Sequence, residues 1–112
     1  RYFRKKTEHL KKFMRPININ TKYEIPVYNE FIVKNRGQFV RFLKNHDVQT
    51  RNSSPNFERV KYLKTVKNKN GFPNSKEVER NYIYLESGPG LKKKRIDEIL
   101  KIINLFYKKN AK

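Results

Sequence analysis

The sequence contains no cysteine and no tryptophan, a single alanine (Ala111), four glycines, and only 10 acidic residues among 112. Without cysteine there can be no disulfide scaffold and no Cys-ligated zinc or iron–sulfur site. No apolar run approaches the roughly 18 residues a membrane-spanning helix needs. No signal-peptide pattern is present, so no membrane partner and a cytoplasmic location are expected. Nor is there a Walker-type phosphate loop. Gly88-Pro89-Gly90 is too short, and it has proline where a phosphate cradle needs an amide.

What the chain has in excess is positive charge: 28 Lys+Arg against the 10 acids, a formal net charge of +18. Two readings stay open. One is a polyanionic partner such as nucleic acid, an acidic membrane surface or a phosphorylated ligand. The other is compositional drift, since Lys, Asn, Ile, Tyr and Phe all have A/T-rich codons and the charge forms no single block. Leu, Ile, Val and Phe together supply 31 residues, enough for one modest core. The length allows one domain.

Along the chain, residues 1–15 read as a basic helix with Tyr2, Phe3, Leu10, Phe13 and Met14 on a loose stripe, ended by Pro16. Residues 23–34 read as a strand, with Ile25, Val27, Phe31 and Val33 on one face and Tyr28 and Ile32 on the other. Asn35-Arg36-Gly37 signals a turn, and Phe39, Phe42 and Leu43 mark a helix over 38–45. Val48 to Thr50 is short and extended. Residues 51–73 have weak periodicity, with a helical turn near Val60, Tyr62, Leu63 and Val66. Asn74 is placed to cap a short helix, with Glu77 completing a capping box. Tyr82 to Leu85 alternates as a strand, and Ser87-Gly88-Pro89-Gly90 turns sharply. A final helix from about Leu91 carries Ile96, Ile99, Leu100, Ile103 and Phe106 on one stripe. This order predicts an α+β fold, a small and mainly antiparallel sheet with packed helices.

Catalytic constellations are scarce. His9 and His46 are far apart and form no metal-ligand pair, so no metal is expected. His9 suits a wet helix face and His46 a helix end. Ser53, Ser54, Ser75 and Ser87 lack a nucleophile-elbow context. Basic and aromatic residues interleave at Arg1-Tyr2-Phe3-Arg4, Arg59 to Lys64 and Tyr107-Lys108-Lys109, a mixture that nucleic-acid binders use. No helix-turn-helix, RNP or zinc-finger pattern goes with them.

The second half carries an ordered series: Val48-Gln49-Thr50-Arg51, then Phe72-Pro73-Asn74-Ser75, then Tyr84-Leu85-Glu86-Ser87-Gly88-Pro89-Gly90-Leu91, then Ile96-Asp97. This series resembles the C-terminal region of the DegT/DnrJ/EryC1/StrS sugar aminotransferases, the perosamine-synthase-like members above all. The resemblance implies one small C-terminal-type domain over 1–112, with a hinge helix over 1–15 and an α+β body over 23–112. Such a domain belongs to a fold-type I, pyridoxal-phosphate-dependent aminotransferase that acts on nucleotide sugars in polysaccharide biosynthesis. It implies a large cofactor domain and a homodimer partner as neighbours, and it places the Schiff-base lysine and its carboxylate partner in that large domain. This chain alone is therefore expected to bind no cofactor, to hold no catalytic residue and to be inactive. Its role would be to close over the substrate.

Arg51 is the best candidate for a substrate contact, because a guanidinium is always charged and can form paired hydrogen bonds. Asn52 is a weaker candidate. Two departures stand out. After Thr50-Arg51 the family's aromatic pair and histidine give way to Asn52-Ser53-Ser54-Pro55-Asn56-Phe57. The family's acidic first turn of the last helix becomes Lys92-Lys93-Lys94-Arg95, four cations that oppose the helix dipole and so are candidates for holding an anion. A basic module binding anions or, non-specifically, nucleic acid is the alternative function.

Overall fold

The computed structural model describes residues 2–20, 22–25, 28–52, 59–63 and 70–110. In order, these form α1 (Tyr2–Lys6), a 3-10 turn (Glu8–Leu10), β1 (Met14–Pro16), β2 (Asn29–Val33), α2 (Arg36–Asn45), β3 (Thr50–Asn52), a 3-10 turn (Lys61–Leu63), α3 (Pro73–Asn81), β4 (Tyr82–Leu85) and α4 (Lys93–Asn110). The four strands make one antiparallel sheet in the order β1-β2-β4-β3. The α+β class with a small antiparallel sheet is the one the sequence predicts.

The pleat sorts the strand residues. Phe31 lies opposite Ile83, and Met14 opposite Val33, all four on the inner face and at most 1% exposed. Glu30, Tyr84 and Arg51 form a cross-strand row of opposite parity, as do Arg15, Ile32 and Tyr82. α4 covers the inner face with Ile99, Leu100, Ile103, Phe106 and Tyr107 buried and Ile96 at the rim. α2 adds Phe39 and Leu43, and the Phe39 ring lies 5.1 Å from that of Phe106. No helix among the described residues is long and apolar enough to cross a membrane.

The helix expected over 1–15 is replaced by three shorter pieces. α1 stops at Lys6 because Thr7 is buried (1% exposed) and its Oγ1 donates to the Arg4 carbonyl, turning the chain. Phe3 and Leu10 still reach the core, but Met14 does so from an edge strand. The apolar stripe was real, although one helix does not carry it. The strand expected over 23–34 is likewise shorter, since Ile25 lies outside it and is 93% exposed; Val27 lies outside the described residues, as does Val66 of the expected turn near Val60.

The expected capping box fails at α3. Phe72 occupies the cap position with no side-chain bond, Pro73 opens the helix, and Asn74 already lies in its first turn. Proline at the first helical position wastes no amide donor and presets φ, so no side-chain cap is needed to start the helix there. The far end of α3 is held by Arg36, which donates to the carbonyls of Glu79 and Tyr82. α4 begins at Lys93, two residues after the expected start, following a turn in which Leu91 N–H donates to the Gly88 carbonyl.

Truncating a side chain in the α4 stripe tests this layer order. Leu100→Ala should cost roughly 2–5 kcal/mol, whereas Leu105→Ala, at a position 43% exposed, should stay within about 0.5 kcal/mol. Denaturant titration of both variants checks the contrast.

Candidate functional site

Arg51 owes its position to the end of α2. Asp47 takes a left-handed conformation (φ 58°) just past the helix. Val48 N–H donates to the Leu43 carbonyl at 2.9 Å, and Asp47 N–H to that of Lys44 at 3.1 Å. These two bonds make a Schellman motif, with Asp in the place glycine usually takes. Val48 is thereby driven into the core (2% exposed), and the chain leaves in the direction that makes Thr50–Asn52 an edge strand. Arg51 and Asn52 are both exposed. An open groove of about 700 Å³ lies between α2 and β3, lined by Val40, Lys44, Asp47, Val48, Thr50 and Arg51.

The structure sets tyrosines beside Arg51 that motif reading did not single out. Tyr84 is its cross-strand partner, and the Tyr28 ring stacks on Tyr84 with centroids 4.5 Å apart. Tyr82 donates its hydroxyl to Glu30 at 2.6 Å. Burial first, and the bond to Glu30 second, push the Tyr82 hydroxyl well above its ordinary pKa, so it stays a neutral donor. The alternation of Tyr82 and Tyr84 with Ile83 and Leu85 was the available signal. An exposed guanidinium beside stacked phenol rings can bind an anionic or hydroxylated ligand; by itself it moves no protons.

Of the four cations of Lys92 to Arg95, Lys93 and Lys94 line one hollow on α4, while Arg95 is turned to other partners. Arg95 is held within the fold. Its Nε and Nη2 donate to the two oxygens of Glu86 at 3.2 and 2.8 Å, and Nη2 also donates to the Asp47 carbonyl at 2.7 Å. Lys92, Lys93 and Lys94 are exposed, and the Lys93 ammonium lies 4.9 Å from the centroid of the Tyr2 ring. The Arg95 fork holds the Glu86 carboxyl below the usual range. His9 meets Asn104 Oδ1 at 2.6 Å, and His46 Nδ1 lies 2.8 Å from the Phe42 carbonyl at the end of α2. Among the described residues no group of His, Asp or Glu is placed to hold a metal ion.

Among the described residues no lysine has the surroundings that a pyridoxal phosphate site needs. The lysine that holds this cofactor must be desolvated enough to lose its proton, and among the described residues no lysine is buried.

Comparison with solved structures places the fold. A DegT/DnrJ/EryC1/StrS aminotransferase from Brucella abortus matches 93% of this chain with a TM-score of 0.71 at 18% identity. A sugar aminotransferase from Micromonospora echinospora matches 92% with a TM-score of 0.69 at 14% identity. In each case the chain spans 29% of the other protein's length. The fold is thus that of a part of these aminotransferases. The model of the DegT/DnrJ/EryC1/StrS aminotransferase family matches residues 4–104, and the chain belongs to that family. No curated protein matches it.

The Arg95–Glu86 fork predicts a pH dependence. Because Glu86 is held below its ordinary value, its contribution is complete above about pH 4.3 and fades as pH falls through the lowered value. Glu86→Gln should therefore lower stability at pH 7 by about 1 kcal/mol. The gap between the variant and the parent should close in strongly acidic buffer. Thermal melts of both proteins across a pH series read this directly.

Proposed function

We propose that this chain is the small C-terminal domain of a pyridoxal-phosphate-dependent nucleotide-sugar aminotransferase, closing over the substrate rather than performing the chemistry. The observation that carries the reading is the family match over residues 4–104 in a chain spanning 29% of its structural neighbours. On this reading the cofactor, and the lysine that binds it, belong to a large domain. That domain and a second copy of the enzyme would be its neighbours.

Within this reading Arg51 contacts the nucleotide-linked sugar, with Asn52 beside it. Its place on an edge strand at an open groove, next to Tyr84, suits a guanidinium that must reach a ligand arriving from another domain. The Schellman motif at the end of α2 fixes where that strand begins, so the backbone that carries Arg51 is positioned before the ligand arrives.

Two measurements test the proposal. Incubated with pyridoxal phosphate and reduced with borohydride, the chain alone should show only scattered labelling by mass spectrometry; one stoichiometric lysine adduct would refute the assignment. In the full-length enzyme, Arg51→Ala should raise KM for the nucleotide sugar by about tenfold or more, the loss of a charge-assisted hydrogen bond, with kcat much less affected. Arg51→Lys should recover part of that loss.

A further inference from the structure

A second concave surface shares no residue with the Arg51 groove. It lies where α1 and the 3-10 turn after it rest on α4. Tyr2 donates its hydroxyl to Asp97 at 2.6 Å and His9 meets Asn104, pinning the two segments side by side. One hollow of about 530 Å³ lies in this junction, and a second of about 450 Å³, lined by α4 residues alone, adjoins it and shares Asp97 and Lys101. Lys5 and Lys6 stand on one side, Lys93, Lys94 and Lys101 on the other, and all five are exposed.

The cleft carries more cations than anions: five lysines stand against two carboxylates, of which Glu98 lies 3.7 Å from Arg95 and Asp97 accepts from the neutral Tyr2 hydroxyl and keeps its charge. Among the described residues none of Lys5, Lys94 and Lys101 has an acidic partner. The ammonium groups of Lys6 and Lys93 lie 5.6 and 4.9 Å from the centroid of the same Tyr2 ring. That ring attracts each cation, so both ammonium groups are held near Tyr2, where α1 meets α4. Lys94, Lys101 and Lys108 recur every seven residues on α4, which sets them about 10 Å apart along the helix.

We propose that this cleft is a docking surface for the phosphate backbone of a nucleic acid, bound without sequence preference. A concave track with ammonium groups on both rims fits a linear polyanion, and lysines act on phosphates as point charges. A membrane surface suits it less, because a flat bilayer cannot enter the cleft and the apolar residue lining it, Leu100, is only 6% exposed.

Fluorescence anisotropy with labelled single-stranded RNA, single-stranded DNA and duplex DNA, titrated over a range of salt concentrations, tests the proposal. The purified protein should bind all three with dissociation constants of about 10⁻⁴–10⁻⁶ M near physiological salt. Replacing Lys6, Lys94 and Lys101 together by Gln should make the salt slope shallower by about 2–3 and weaken binding at least about tenfold. The control triple Lys22→Gln, Lys34→Gln and Lys61→Gln, with the same net charge, should leave the slope close to that of the parent. Circular dichroism confirms folding; if the first triple does not fold, Lys101→Gln alone should change the slope by about 0.7–0.9. Equal losses in the two triples, a slope unchanged by the cleft substitutions, or absence of binding would overturn the proposal. Binding to phosphatidylserine-containing vesicles in preference to nucleic acid would overturn it too.

Discussion

Burial of α4 against one face of the sheet is the constraint on which the rest of this structure depends. A chain with 28 cations repels itself, and the term that opposes this is removal of apolar surface from water. α4 supplies five of the buried side chains of the core. α2 packs on it through Phe39, α1 is pinned to it by Tyr2 and His9, and Phe13 stacks on its Tyr107. The Arg95 fork closes the arrangement at the helix start, joining the exit of β4 to the exit of α2.

The strong periodicities were legible in the sequence because burial on one side imposes them. Tyr82 to Leu85 has the bounds read from its alternation, and the α4 stripe is buried as its spacing implied. The N-terminal segment misled for the same reason. Phe3, Leu10 and Met14 all point to the core, which fits one long helix, but a buried Thr7 that bonds back to Arg4 ends α1 and frees the following residues for the sheet edge. At α3 the cap motif at Asn74 lost to Pro73 in the position before it, which starts a helix without side-chain help.

The surroundings of Arg51 were only partly visible. The motif around it could be read from residue order. The tyrosine stack beside it depends on a β3–β4 pairing between residues more than thirty positions apart, which no local pattern encodes. Lys92 to Arg95 show the opposite case. As a run they look like one basic cluster, yet helical geometry sends Arg95 to Glu86 and Lys93 to Tyr2. Adjacent residues on a helix face different ways, so a charge run in sequence becomes separate surfaces in space.

Both outer strands of the sheet are short. β1 has three residues and ends in Pro16, and β3 has three with Arg51 at its centre. An unpaired edge is an invitation for another chain to add a strand, the first step toward edge-to-edge aggregation. Here an incoming strand would meet three residues on either side, with a missing amide donor at one edge and a fixed positive charge at the other. Among the described residues both edges therefore discourage strand addition, in a chain with much β-forming Ile, Tyr and Phe.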